Sequence, residues 1–197
     1  MKFANDYAQA DFWSKKAFAE GYPARSVWKL KEIDEKFHLI GKASVALDLG
    51  AAPGSWTLYV SRGGAKKVVA CDLNALSKTV QAENIFFVQG DLNEKNIREK
   101  IANEGPYDVV LCDAAPLTTG NRIVDTARSE NLVEMALYYA ENFLKQNGNF
   151  AVKIFQNGSQ QTILKKMREI FLSAKSFKPN ACRSESFETY LIGLQKK

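Results

Sequence analysis

A strand, a glycine turn and a helix follow one another without interruption in Val45-Ala-Leu-Asp-Leu-Gly-Ala-Ala-Pro-Gly-Ser-Trp56. Val45 to Leu49 is short and apolar, with Asp48 as its one polar interruption, and reads as a buried strand. Gly50 and Gly54 bracket a tight turn, and the run from Ser55 to Val60 opens a helix. This is the start of a nucleotide-binding α/β unit. It restricts the chain to folds that cover both faces of a mostly parallel sheet.

The rest of the chain repeats the alternation. Apolar runs predict strands at 44–49, 67–72, 84–91, 107–113 and 150–155, with helices at 94–103, 125–146 and 160–174. Residues 5–37 read as helical with a break near Gly21-Tyr-Pro23. Two last strands, 175–182 and 187–195, have no helix between them and are expected to form a hairpin. The expected fold class is α/β and Rossmann-like: a seven-stranded, mostly parallel sheet, buried on both faces, with helices on both sides and an antiparallel C-terminal hairpin. At 197 residues this is one domain, with a helical segment at 1–40 and a core at 44–195.

Three of the strands end in an acid: Asp72, Asp91 and Asp113. Each alone is an ordinary turn or helix-cap residue. Together with Gly50 they lie at the carboxyl ends of four successive strands, the edge where open α/β sheets bind ligands. A dinucleotide pyrophosphate wants a Gly-x-Gly-x-x-Gly turn rich in backbone N–H groups. Here the turn is Gly50-Ala-Ala-Pro-Gly54, the glycine spacing differs, and Pro53 has no N–H to donate. Asp72 stands 22 residues after Gly50, where a ribose-binding carboxylate belongs. The pattern suits a nucleoside without phosphates, and three carboxylates suit a cation. S-adenosylmethionine, a nucleoside with a sulfonium, meets both conditions.

Composition removes several other classes. The N-terminus has no apolar signal segment, and no apolar run approaches the roughly 18 residues of a membrane span. Cys71, Cys112 and Cys182 form no C-x-x-C pair, so neither a zinc site nor a disulfide framework is expected and no metal is called for; free thiols point to a cytoplasmic setting. The one histidine, His38, has no partner motif for a Ser-His-Asp triad. Net charge is +5, with the basic excess at both ends and an acidic centre. An anionic partner and simple solvated helix faces both account for that, and charge alone leaves them open.

Five motifs occur in order: Ser26-x-x-x-Leu30 with Lys29 inside it, Asp48-Leu-Gly-Ala-Ala-Pro-Gly-Ser-Trp56, Asp113-Ala-Ala-Pro116, Val152-Lys-Ile-Phe-Gln156, and Lys178-Pro-x-Ala-Cys-Arg-x-x-Ser-x-Glu-x-Tyr190. With them the chain resembles the FtsJ/RrmJ (RlmE) group of ribose 2′-O-methyltransferases, over about Asp11 to Leu194. The resemblance implies the Rossmann-like methyltransferase fold with S-adenosylmethionine as cofactor. It implies a catalytic tetrad falling on Lys29, Asp113, Lys153 and Glu188. It also implies a cofactor site lined by Gly54, Trp56, Asp72, Asp91 and Asp113, to which the turn adds Gly50 and Pro53.

The substrate so implied is a uridine of large-subunit ribosomal RNA, met by a monomer, with no membrane involved. The alternatives are a tRNA or mRNA-cap 2′-O-methyltransferase on the same fold, or a non-catalytic ribosome-assembly factor. Lys15, Lys16, Arg25, Lys31, Lys165, Lys166, Arg168, Lys178 and Arg183 form the candidate RNA surface, with Trp13, Tyr22 and Trp28 able to stack on bases or to pack in the core. Leu117, Cys182 and Asn157 depart from the family pattern in substrate-side loops. Among the tetrad, Lys153 stands out on residue grounds alone, because a lysine inside an apolar strand is uncommon. It is expected to act either as a base or as a cation that stabilises an oxyanion.

Overall fold

A computed structural model of the chain describes residues 11–156, 159–183 and 186–197. Its elements are α1 (Phe12–Ala19), α2 (Val27–Phe37), β1 (Val45–Leu49), α3 (Ser55–Arg62), β2 (Lys67–Asp72), β3 (Ile85–Gln89), α4 (Lys95–Glu104), β4 (Tyr107–Cys112), α5 (Arg122–Phe143), β5 (Leu144–Phe155), α6 (Gln160–Ile170), β6 (Phe171–Phe177) and β7 (Glu188–Lys196). The helical expectation for residues 5–10, and Asn157, lie outside the described residues.

The seven strands form one sheet in the order β3-β2-β1-β4-β5-β7-β6. Strands β1 to β5 pair in parallel, and β7 runs antiparallel to both of its neighbours, β5 and β6. The expected C-terminal hairpin is present, with its second strand inserted into the sheet. Side chains alternate between faces along each strand. Leu47, Val69, Val110 and Val152 pack against Ile101 of α4, Val133 and Leu137 of α5 and Met167 of α6. Ala46, Val68, Val109 and Leu111 pack on the other face against Leu30 and Ile33 of α2 and Trp56 and Val60 of α3. The α1 helix is held to α2 by a small cluster of Ala17, Val27, Trp28 and Ala181.

Three expectations are corrected. Strand β3 is not buried on both faces, since its residues are half-buried or exposed, Phe86 and Gln89 being the exposed ones; it is an edge strand paired with β2. The long helix ends at Phe143 rather than near Asn147, because Leu144 already pairs with Tyr107 of β4. The last helix stops at Ile170, four residues early. Phe171 leaves it to lie against Phe150, ring centroids 5.8 Å apart, and to pair with Lys196.

The carboxyl edge of the parallel strands gathers the ends that matter. Gly50 follows β1, Asp72 closes β2, Asp91 lies just beyond β3 and Asp113 just beyond β4. Because β7 is antiparallel, it begins where its neighbour β5 ends, and its first residue, Glu188, faces Phe155.

Candidate active site

The turn after β1 is built by close approach. Gly50 has φ +69°, and a Cβ there would stand 2.5 Å from that of Ala114, so only glycine lets the loop after β4 lie against the turn. Asp72 clamps the turn by accepting a hydrogen bond from the Ala52 N–H at 3.0 Å, while its other oxygen accepts from the Asn74 N–H. Asp91 accepts likewise from the Asn93 N–H. Both acids therefore fill the ordinary turn role and also border a cavity of about 660 Å³. Gly50, Ala52, Asp113, Leu132 and Met135 complete the part of its wall that bears on a ligand.

Pro53, Gly54 and Trp56 do not line this cavity, contrary to the expectation from the sequence. Pro53 accepts from the Ser77 N–H through its carbonyl. Gly54, at φ +107°, caps α3 where a Cβ would press on Val80. Trp56 is buried. Its Nε1–H donates to the Ser26 carbonyl and its ring packs on Tyr190 at 5.7 Å, which ties the turn to α2 and β7. Pro53 and Gly54 shape the turn from behind, and Trp56 does so while also walling a small hollow beside Gly50 and Asp113.

The four tetrad residues come together from four elements: Lys29 from α2, Asp113 from the end of β4, Lys153 from β5 and Glu188 from β7. They form two ion pairs. Lys29 Nζ lies 2.7 Å from Glu188 Oε1, and Lys153 Nζ lies 3.1 Å from Asp113 Oδ1. Lys153 Nζ also donates to the Asp113 carbonyl at 2.5 Å, and the Tyr190 hydroxyl donates to Asp113 Oδ1 at 2.7 Å. Lys153 is only 8% exposed, so its ammonium has little contact with bulk water.

Burial favours the neutral form of each group, and the pairing opposes it. For Asp113, burial pushes the pKa up, but Lys153, Lys29 and the Tyr190 hydroxyl outweigh it and hold it below the usual carboxylate value. For Lys29, burial pushes down, but Asp113 and Glu188 hold its pKa above that of a free lysine. Burial, Asp113 and Glu188 together keep Tyr190 protonated far above the usual phenol range, so it stays a donor. Beside these groups a second cavity of about 560 Å³ is lined by Arg25, Lys29, Thr118, Arg183, Phe187 and Glu188. Leu117 lines the first cavity and Thr118 the second, so the loop after β4 is the wall between them.

Sequence reasoning passed over Asp48. It is 1% exposed on β1, and its Oδ2 accepts from the Thr57 hydroxyl at 2.6 Å while Oδ1 has no partner among the described residues. It lines a small hollow of about 30 Å³ with Ser26, Gly50, Ala52, Trp56 and Asp113. The signal was present, as the single polar residue in an apolar strand. Burial, only partly offset by the Thr57 hydrogen bond, raises its pKa to about 7. A folded-state pKa above the unfolded value means that keeping Asp48 folded costs nothing below about pH 4. That cost grows between pH 4 and 7 and is complete above 7. Asp48→Asn removes the cost, so its melting temperature in the absence of ligand is expected to match the parent at pH 4.5. At pH 8 it should exceed it by on the order of 5 °C. An offset independent of pH would refute this protonation state.

The basic residues proposed as an RNA surface are divided by the fold. Arg25 and Arg183 line the second cavity with Lys29. Lys165, Lys166 and Arg168 lie on α6, across the sheet from α2, and Lys166 is paired with Glu134. Trp28 is buried, with Trp13 and Tyr22 packed around it, so these aromatics serve the core. The three cysteines are free and buried. Among the described residues, no helix is long and apolar enough to cross a membrane.

A parallel sheet carrying an inserted antiparallel strand, with a non-dinucleotide glycine turn and acids at the strand ends, defines a Rossmann-like domain of the methyltransferase type. The sequence model of the FtsJ-like methyltransferases matches residues 22–196, and the chain belongs to that family. It is 58% identical over 195 residues to the Treponema denticola protein named ribosomal RNA large subunit methyltransferase E, with 98% of each chain covered. It is 45% identical to the protein of the same name from Oleidesulfovibrio alaskensis, over 93% of this chain and 90% of that one. A Plasmodium falciparum crystal structure described as a ribosomal RNA methyltransferase superposes with a TM-score of 0.76 at 24% identity, over 89% of this chain and 98% of that one, an agreement of fold.

Proposed function

We propose that the chain transfers a methyl group from S-adenosylmethionine to a ribose 2′-hydroxyl of RNA, and that its substrate is a uridine of large-subunit ribosomal RNA. The observation that carries the chemistry is the alternation of two ammonium and two carboxylate groups, Lys153–Asp113 and Lys29–Glu188, next to the larger cavity. The choice of RNA rests on the names of the Treponema denticola and Oleidesulfovibrio alaskensis relatives.

The residues present fit the donor. Asp48 Oδ1, a buried acceptor with no partner among the described residues, belongs to a residue lining the small hollow beside Gly50 and Asp113, and Asp72 and Asp91 border an opening of nucleoside size with apolar walls at Leu92, Leu132 and Met135. Gly50, Ala52, Asp72, Asp91 and Asp113 would hold it. When bound, the donor supplies a methyl group already activated by its positively charged sulfur.

A ribose hydroxyl is a weak nucleophile at neutral pH, so this chain must place its oxygen and manage its proton. The second cavity admits the nucleotide, and Arg25 and Arg183 meet flanking phosphates. Lys153 already donates to two oxygens of Asp113, and with no further acceptor among the described residues its third N–H would serve the 2′ oxygen. There it stabilises the negative charge that grows on the 2′ oxygen as the O–H proton passes to solvent water in the second cavity. Lys29, anchored by Glu188, steadies Asp113 from the other side. Segment 1–40 takes the substrate side in this reading, because it supplies Lys29 from α2 and Arg25 from just before it.

The deciding experiment is a map of 2′-O-methylation across large-subunit rRNA before and after incubation with the protein and labelled donor. One new modified uridine is the expected result. Transfer to tRNA or capped RNA instead would move the substrate, and donor binding without transfer to any RNA would end the enzyme reading.

A further inference from the structure

The second cavity is a seam between two parts of the chain. Arg25, just before α2, and Lys29, within it, line one side; Arg183, between β6 and β7, and Glu188, at the start of β7, line the other. Arg25 and Arg183 bring the same charge into it. Burial and then the Arg183 charge lower the Arg25 pKa, so the two guanidinium groups are close enough to repel. Repulsion between like charges tends to open such a seam.

One face of α2 opposes it. The turn at 179–182 is closed by a hydrogen bond from the Cys182 N–H to the Pro179 carbonyl at 3.1 Å. That bond leaves the N–H groups of the two central turn residues unused. Glu32 takes both: its Oε2 accepts from the Asn180 N–H at 2.7 Å and its Oε1 from the Ala181 N–H at 2.8 Å. Hydrogen bonds to a carboxylate are stronger than those between neutral groups. Arg25 donates to the Ala181 carbonyl at 2.8 Å, and Ala181 is buried against Val27 and Trp28. Arg183 follows this turn directly. Lys29 and Glu32 stand one helical turn apart and share a face of α2. Lys29 therefore meets Glu188 on β7 while Glu32 meets the turn. Glu32 lies outside all five sequence motifs and outside the tetrad.

We propose that Glu32 is a positioning residue for the RNA: by clasping the turn at 179–182 onto α2 it holds Arg183 near Arg25, so that the two guanidinium groups are set to share one phosphate beside the target nucleotide. An anion between the arginines relieves the repulsion that the clasp works against. The clasp rests on the ribose methylation reading above and adds what keeps its substrate cavity in shape.

The test uses unmodified large ribosomal subunits as substrate, at saturating S-adenosylmethionine. It compares the parent with Glu32→Ala, Glu32→Gln, Arg183→Ala and the double variant Glu32→Ala/Arg183→Ala. Glu32→Ala is expected to raise KM for the subunits about tenfold and to leave kcat within about threefold, because substrate binding is lost rather than chemistry. The slope of log KM against log salt should fall by about one, as in Arg183→Ala, since a phosphate contact is lost. The double variant should be no worse than Arg183→Ala alone, because both changes remove the same contact. Glu32→Gln, which keeps the shape and one acceptor oxygen, should lie between the parent and Glu32→Ala, and carries the same comparison if Glu32→Ala fails to fold. Calorimetric titration of the donor should give a Kd within about twofold of the parent's in each folded variant, since neither residue lines the donor cavity. A parental KM and salt slope in the Glu32 variants would overturn the clasp, even where their melting temperatures fall. So would losses that add in full to that of Arg183→Ala. Absence of transfer by the parent to any RNA would reject the methylation function, and the role of the clasp with it.

Discussion

Lys153→Ala is expected to lower methyl transfer by about a thousandfold or more while leaving affinity for S-adenosylmethionine within about twofold. The separation follows from where the side chain lies. Lys153 does not border the 660 Å³ donor cavity, yet it is in direct contact with Asp113, which does. Donor binding therefore loses no contact. Asp113 keeps the Tyr190 hydroxyl at 2.7 Å and remains in the field of Lys29, so its carboxylate stays ionised and placed. What would be lost is the ammonium proposed to meet the 2′ oxygen. Single-turnover transfer of a labelled methyl group and calorimetric titration of the donor measure the two sides independently. Near-normal turnover would remove Lys153 from the chemistry.

Asp113→Ala should harm both activity and stability. Asp113 is the member common to the donor cavity and the ion pairs, so donor affinity is expected to fall tenfold or more along with transfer. The substitution also leaves the nearly buried Lys153 without its counter-charge, and breaking a buried pair by removing one partner costs about 3–5 kcal/mol. At neutral pH this corresponds to a fall in melting temperature of roughly 10 °C for a chain of this length. The pH dependence has a definite sign. Because the Asp113 pKa is held below its unfolded value, its stabilising contribution is fully present above about pH 4 and is lost as pH falls through the folded pKa. The gap between parent and variant should therefore narrow on acidification below pH 4. Equal melting temperatures at pH 7 would show that the pair contributes nothing net to stability.

The glycine turn, the strand-end acids and the alternation of elements were legible because each depends on short-range pattern. A carboxyl strand end is a position in sequence as much as in space, and so Asp72, Asp91 and Asp113 could be placed on one edge before any coordinates. Element ends were less legible. The helix expected to reach residue 174 stops at Ile170 because Phe171 is captured by Phe150 from β5, a contact across the chain that no local periodicity contains. Gly54 and Trp56 were expected in the cofactor site through the family resemblance, and Pro53 through its place in the glycine turn. In space Ala52 lines the larger cavity, while the Pro53 carbonyl binds the Ser77 N–H, Gly54 abuts Val80, and Trp56 reaches Ser26 and Tyr190 and walls only the small hollow beside Asp48. Asp48 was overlooked for the opposite reason: its importance comes from an unpaired oxygen, which only packing reveals.

By itself the sequence determined the α/β class, the acids at the strand ends and, through its five motifs, the resemblance that singled out Lys29, Asp113, Lys153 and Glu188. Local propensity and hydrophobic period are properties of neighbouring residues, and those suffice for such conclusions. Tertiary structure alone decided that these four groups pair as Lys29–Glu188 and Lys153–Asp113. The insertion of β7 beside β5 in antiparallel register starts that strand at the carboxyl edge. It places Glu188 opposite Phe155 and Tyr190 opposite Lys153. Strand order is a choice among whole-sheet arrangements, set by which faces can be buried together, and the charges it brings into contact lie up to 159 residues apart in the chain, as Lys29 and Glu188 do.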